Sequence, residues 1–320
     1  MRYYLRYGVD LKEREEFTFS PVNFGVVLHA VIREVCDEIK KNGESYYLIS
    51  EEKRREMVKR SVAAITDIYQ NSILKDSSRN SFMIKRMEDL ADRTVWAMGE
   101  QLKCGDFVPF VFEHKFNMEV GDGDRKQLMS GTIDRVDICE NGTDVYVRII
   151  DYKTGKKDFN IVKTYYGIDI QLMVYMEAAM KLVAKMRPGK NVIPAGVFYY
   201  NISDPIVSAT TESAEEIEDK IKGELRLKGM VNSDKDIAEK MDNTEGTSLN
   251  IPVSRKADGG FDSRRSKVMN TEQFNMLGRF VDVRAIDTAD RIAGGDIRRS
   301  PYKDGQFSSC DRCPYGAVCG

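Results

Sequence analysis

Asp134, Asp151 and Lys153 are the residues of this 320-residue sequence best suited to chemistry. Asp134 sits in Gly131-Thr132-Ile133-Asp134-Arg135-Val136-Asp137, where acidic groups interrupt an apolar, alternating run. Asp151 and Lys153 follow Ile149-Ile150, and side chains two apart on a strand share a face. Across a hairpin, Asp134 can face the same place. Two convergent carboxylates beside a lysine make an oxygen-rich site suited to Mg²⁺ or Mn²⁺. Such an ion polarises a phosphate oxygen and acidifies a bound water, while Lys153 would orient the water and stabilise charge developing on phosphorus. From the D-x-K spacing alone, an exposed ion pair at a strand end is the commoner reading. The surroundings favour a site: Ile149-Ile150 implies a buried strand, and burying Asp134 without a partner or metal would be costly.

Gln171 and Tyr175 lie four apart and share a helix face, which on its own also suits ordinary packing. His29, one of two histidines, falls at the edge of an apolar helical stripe, where a core histidine is the plainer reading. Glu113 precedes His114 in an extended run and could be a surface charge. Cys310, Cys313 and Cys319 form a C-x2-C-x5-C array within the last eleven residues. Three soft ligands fall one short of the four that iron–sulfur and zinc sites normally use. Cys36, Cys104 and Cys139 could supply another, although their places in helix and hairpin suit core thiols.

The elements that must position these groups follow from period and turn chemistry. Phe24 to about Lys41 repeats apolar residues at helical spacing, with Ser20 or Asn23 as a cap, and residues 51–103 read as mostly helical. From Phe107 to Val120 the chain reads as extended. Leu128–Ile138 and Asp144–Tyr152 are strand candidates joined through Asn141-Gly142, a hairpin signal. Ile168–Met186 returns to helical period and Pro188-Gly189 closes it; Val192–Ile202 is another strand. Residues 203–269 are weakly periodic and predict peripheral loops and short helices. A last helix starts at Thr271 and runs to Gly294-Gly295. The class expected is mixed α/β (α+β), with a mostly antiparallel β core between helical segments.

Forty-nine basic and fifty-one acidic residues leave a net charge of −2, so a nucleic-acid partner needs a local basic surface. Hydrophobic residues at 42% and charged residues at 31% indicate a globular chain. No apolar run approaches the ~18 residues of a membrane span, and the N-terminus lacks a secretory apolar region, so a cytoplasmic protein without a membrane partner is expected. No G-x4-G-K-[ST] run is present, so this chain carries no ATP-binding loop of that type.

Taken in order, G-x-I-D-R-V-D at 131–137, I-I-D-Y-K-T-G at 149–155 and Q-L-M-V-Y at 171–175 resemble the RecB-like group of PD-(D/E)XK nucleases. The helix F-G-V-V-L-H at 24–29 resembles that group's upstream His motif. L-R-Y-G at 5–8, F-S-P-V-N-F-G at 19–25, P-A-G-V-F-Y-Y at 194–200 and the terminal cysteine array resemble the C-terminal nuclease domains of the AddB family, found in bacterial helicase-nucleases.

The resemblance implies a restriction-endonuclease-like core with a central mixed sheet, flanking helices and a cysteine-bearing tail. It implies one nuclease domain over 1–320: a helical part at 1–105, the catalytic β core and helix at 106–202, and peripheral segments, a long helix and the tail at 203–320. It further implies metal ligation by His29, Asp134 and Asp151, Lys153 as catalytic lysine, Gln171 and Tyr175 supporting the site and the DNA strand, and Asp137 and Glu113 in supporting roles. Family members hold a [4Fe–4S] cluster with a fourth cysteine upstream of the Y-x-L-R-Y-G segment. That position would precede Met1, so the chain is expected to be cut from a longer protein, with the cluster incomplete or absent. The activity implied is exonucleolytic cleavage of single-stranded DNA from duplex ends, beside an AddA-like helicase subunit, in recombinational repair of double-strand breaks. The alternatives are a catalytically weak DNA-binding or scaffolding module of that complex and a stand-alone Fe–S exonuclease.

Overall fold

The computed structural model describes residues 21–70, 78–120, 126–208, 212–294, 296, 298, 301–305 and 307–311. The segment at 5–8, Phe19, Ser20, Cys313 and Cys319 lie outside them. Two compact units divide the chain: Met1–Lys103 with Ile202–Ser208, and Cys104–Asn201 with the residues from Ala209 onward.

The first unit holds α1 (Pro21–Lys41), α2 (Glu51–Gln70) and α3 (Ser78–Lys103). The helical period of α1 is used as the pattern predicts: Val27, Leu28, Val31, Ile32, Val35 and Ile39 are all buried. Asn23 lies inside α1 rather than capping it, because the helix already begins at Pro21, where proline's fixed φ suits a first turn. Arg54 Nε donates to Asp92 Oδ1 at 2.8 Å, joining α2 to α3. Cys36 is buried, its thiol 3.9 Å from the Met98 sulfur.

The second unit is built on a sheet. In order it contains β1 (Val108–Val120), β2 (Gln127–Asn141), β3 (Asp144–Lys153), α4 (Ile161–Tyr165), α5 (Gln171–Met186), β4 (Asn191–Asn201), α6 (Ala214–Glu224), β5 (Lys228–Asn232), α7 (Lys235–Met241), β6 (Val268–Met269), α8 (Thr271–Ala293) and the short pair β7 (Lys303–Asp304) and β8 (Phe307–Ser308). Among the described residues the main sheet has six strands in the order β1-β2-β3-β4-β5-β6. The β1–β2, β2–β3 and β4–β5 pairs are antiparallel; β3–β4 and β5–β6 are parallel. The sheet is therefore mixed, less antiparallel than the sequence pattern suggests. A parallel β3–β4 pair requires a crossover, and α4 and α5 provide it.

The hairpin forms with its turn one residue further on than the Asn-Gly dipeptide predicts. Asn141 pairs with Asp144, leaving Gly142 and Thr143 as the loop, and Gly142 takes φ +60°. Helix α5 begins at Gln171, not Ile168, and the separate α4 is capped by Asn160, whose Oδ1 accepts from Val162 N and Lys163 N. Residues 203–269 are more ordered than their weak periodicity predicts, since β5 and β6 extend the main sheet there. Both strands are too short to show alternation.

Leu172, Met173, Val174, Met176, Ala179 and Val183 of α5 pack on one face of the sheet against Val136, Ile138, Val145, Val147, Ile149 and Val197. Phe274 and Val281 of α8 complete this core. Burial of such side chains, roughly 1.5–3 kcal/mol each for the larger ones, fixes which sheet face can carry a site beneath α5.

Candidate active site

Alternation along β3 puts Val145, Val147, Ile149, Asp151 and Lys153 on the face that α5 covers, apolar at depth and ionic at the strand's end. Asp151 is 2% exposed, and its Oδ2 lies 2.5 Å from Lys153 Nζ. This is not the exposed ion pair that the D-x-K spacing alone favours. The last paired residues of the β2–β3 ladder are Arg135 and Ile150, so Asp134 and Asp151 occupy the next position of the same register. Asp134 is buried, and Tyr152 N–H donates to its Oδ2 at 2.7 Å.

The ammonium of Lys153 is held from three sides. Besides Asp151 it donates to Gln171 Oε1 at 3.2 Å and lies 5.7 Å from the Tyr199 ring centroid. The Gln171 amide group in turn donates through Nε2 to the Tyr175 hydroxyl at 2.9 Å. The predicted face-sharing of Gln171 and Tyr175 thus becomes a relay from helix α5 to the lysine. Burial pushes the Tyr175 phenol up, and the charges of Asp151, Asp134 and Glu113 push the same way against the Gln171 bond. Three carboxylates therefore act on one hydroxyl.

Glu113 is the residue that sequence alternation misplaces. Its carboxylate and that of Asp134 offer ligand oxygens within 4.8 Å of one another. Phe116 of the same strand already faces α5, its ring 5.7 Å from that of Tyr175. Three positions away, strict alternation would turn Glu113 to the opposite side. Glu113 takes φ +47°, a left-handed backbone that costs an ordinary residue energy, and this break accompanies the switch of face. Gly131 makes the neighbouring room: a Cβ there would lie 2.9 Å from Phe116 Cε1 and 3.2 Å from Tyr175 Cε1.

Asp137 does not join this group. It is three residues from Asp134, on the other face, fully buried and receiving bonds from Arg135 Nε at 2.7 Å and Arg148 Nε at 2.8 Å. Burial alone would push its carboxyl up; the two guanidiniums overcome that and hold it below the ordinary range. Its support is structural, a buried ion cluster behind the sheet.

Tyr199, in the P-A-G-V-F-Y-Y run, and Asp169 are two further site neighbours to which the sequence pattern assigns no role. The Tyr199 hydroxyl donates to Asp169 Oδ1 at 2.8 Å, and Lys157 Nζ lies 2.9 Å from the same oxygen. His29 lies half-buried on α1, in the helical unit. Cys310 is exposed and Cys139 buried, with burial pushing the Cys139 thiol up.

Glu113 on β1, Asp134 on β2 and Asp151 on β3 offer hard oxygen donors from three adjacent strands, the donor chemistry that Mg²⁺ and Mn²⁺ take. With Lys153 beside Asp151 on the third of these three adjacent strands, the set can hold a divalent cation next to a positively charged side chain. The sequence matches the PD-(D/E)XK nuclease superfamily over residues 1–320, and the chain belongs to that superfamily. It is similar to the B component of the ATP-dependent helicase/deoxyribonuclease of Thermoanaerobacter sp. (strain X514), with 33% identity over 99% of this chain and 28% of the relative. The same component from Caldanaerobacter subterraneus subsp. tengcongensis is 34% identical and that of Clostridium botulinum (strain Hall) 33%, with the same shares covered. The chain thus spans about 28% of the length of these relatives. Among the described residues no helix is long and apolar enough to cross a membrane.

Proposed function

We propose that the chain is a single metal-dependent nuclease domain that hydrolyses phosphodiesters of single-stranded DNA, working in the cytoplasm beside a helicase subunit in the processing of DNA ends. The observation that carries this reading is the pairing of buried Asp151 with half-buried Lys153 next to the Asp134 and Glu113 carboxylates. The relatives' description as components of a helicase/deoxyribonuclease supports both the DNA substrate and the partner. Asp134 and Asp151 would hold the ion, with Glu113 and, by the family pattern, His29. When bound, a divalent cation such as Mg²⁺ or Mn²⁺ supplies Lewis acidity that polarises a phosphate oxygen and acidifies water.

The chain's own groups do the positioning. Lys153 carries a fixed positive charge to the mouth of the site, where it orients the attacking water and offsets charge developing on phosphorus. Gln171 stops the ammonium from swinging away, and Tyr175 holds the Gln171 amide in the orientation that presents Oε1 to lysine. The intact acid–lysine set weighs against a degenerate scaffolding module. The test is digestion of end-labelled single-stranded DNA in Mg²⁺ or Mn²⁺ by the wild-type chain and by Asp151→Ala. Cleavage at wild-type rate by Asp151→Ala rules the assignment out.

For the tail, the C-x2-C-x5-C spacing supports Cys310, Cys313 and Cys319 as three of the four ligands of an iron–sulfur cluster, so that in this chain the cluster is expected to be incomplete or absent. Iron content and visible absorbance of anaerobically purified protein, with and without a Cys313→Ser substitution, test this.

A further inference from the structure

The second unit carries an aromatic surface that the catalytic reading does not use. Tyr165 and Tyr166, at the end of α4, are 56% and 53% exposed. They are fixed nonetheless. The Tyr165 ring stacks on Phe280 of α8 with centroids 5.3 Å apart and planes 6° from parallel. Tyr166 meets Tyr165 edge-on at 5.2 Å, and Tyr302 lies 5.1 Å beyond Tyr166. Arg284, one turn along α8, sits 5.8 Å from the Phe280 ring and reaches the Tyr165 carbonyl at 3.5 Å. Four rings run in contact across the α4–α8 surface, two of them more than half open to water, an unusual arrangement for an exposed face.

The surface is joined to the catalytic lysine. The Thr164 hydroxyl of α4 donates to the Asp169 carbonyl at 2.9 Å, and the Asp169 carboxylate holds Tyr199, on whose ring Lys153 rests. Between them runs 154–160, where Thr154, Gly155 and Lys156 are exposed and Lys157 is half-buried. Lys163 and Arg284 add positive charge at the rings, and the one acid of that loop, Asp158, is matched by Lys267 at 2.5 Å.

We propose that Tyr165, Tyr166 and the rings behind them form a stacking platform for the bases of single-stranded nucleic acid, with Lys156, Lys163 and Arg284 receiving its phosphates. Every unpaired base offers a flat π-face, so stacking on fixed rings is tolerant of sequence, and flanking cations follow the backbone. A duplex hides those faces. The proposal deepens the nuclease reading and rests on it only for where the strand leads: from the platform, past Lys157, to Lys153.

The test is fluorescence anisotropy of a labelled oligothymidylate of roughly 16 nucleotides, titrated with the 320-residue chain in EDTA so that cleavage is off. Tyr165→Ala and Tyr166→Ala should each weaken binding about tenfold, while Tyr165→Phe and Tyr166→Phe, which keep the rings, retain it. Lys163→Ala and Arg284→Ala should lower the slope of log affinity against log salt by about 0.7 each. Duplex of the same length should bind wild type and the alanine variants alike. Alanine variants that bind the single strand as wild type does, tightly or undetectably, overturn the platform. Phenylalanine variants that lose as much as alanine overturn it too. A wild-type chain that binds the strand in EDTA yet cleaves nothing in Mg²⁺ or Mn²⁺ would instead sink the nuclease reading and leave the platform standing.

Discussion

The backbone N–H of Tyr152 donates to Oδ2 of Asp134 at 2.7 Å, one step beyond the last paired residues of the β2–β3 ladder. A side chain thus continues a hydrogen-bond pattern where the backbone stops, and in doing so its carboxylate is aimed along the face that carries Asp151. Two substitutions separate orientation from charge. Asp134→Asn keeps an oxygen for Tyr152 and removes the charge; Asp134→Ala removes both. Both should lose DNA cleavage. In urea unfolding, Asp134→Ala should also lose about 1–3 kcal/mol for the stranded buried N–H, and Asp134→Asn clearly less. Equal losses of stability would show that the bond does not set the carboxylate's place.

Lys153 tests the relay from α5. Replacing it with Ala should lower cleavage by about 100-fold or more, the scale for removing a group that stabilises transition-state charge. Gln171→Ala keeps the lysine but releases one of its anchors, so the expected loss is smaller, about tenfold, in kcat rather than in KM. Gln171→Glu should be worse than Gln171→Ala, because a second carboxylate would compete with Asp151 for the ammonium. Steady-state rates for the three variants, with circular dichroism to establish folding, decide the order.

The candidate site could be read from the sequence wherever regular geometry governs it. Asp151 and Lys153 share a face because β3 keeps its period of two, and Asp134 reaches them because the hairpin fixes the register. Gln171 and Tyr175 meet because α5 is a regular helix. Glu113 could not be read in this way. Its φ of +47° breaks the alternation that any pattern argument assumes, and nothing in Phe112-Glu113-His114 signals it. Strands β5 and β6 escaped for a different reason: they are five and two residues long, and their pairing of Val231 with Val268 joins positions far apart in sequence. Gly131 falls inside the strand expected over Leu128–Ile138, and what the sequence does not reveal is the close approach of the Phe116 and Tyr175 rings that leaves no room for a side chain there.

Asp137 should behave as a stability residue, not a catalytic one. Arg135 and Arg148 are both 1% exposed, so removing the carboxylate would leave two guanidiniums buried without their counter-charge. Asp137→Ala is expected to cost about 3–5 kcal/mol, the scale for breaking a buried ion pair from one side. Chemical denaturation measures it. A loss below about 1 kcal/mol, the range of a surface pair, would show that the cluster does not hold the back of the sheet.

Asp282 on α8 gives a pH signature away from Lys153. Its carboxyl bonds Glu177 of α5, which also pairs with Lys181 at 2.6 Å, and Arg279 lies along the same cleft. Burial, then the bond to Glu177 and its charge, push Asp282 up from 3.8 to about 7, against the pull of Lys181. The folded state therefore holds this proton more tightly than the unfolded chain does. The stabilisation is present in full below 3.8 and is lost as pH rises through about 7. Asp282→Asn stays neutral at every pH and escapes that loss. Melting temperatures of both proteins across this interval should separate steadily, with wild type falling relative to Asp282→Asn as pH rises. Parallel profiles would mean that the α5–α8 carboxyl pair shares no proton.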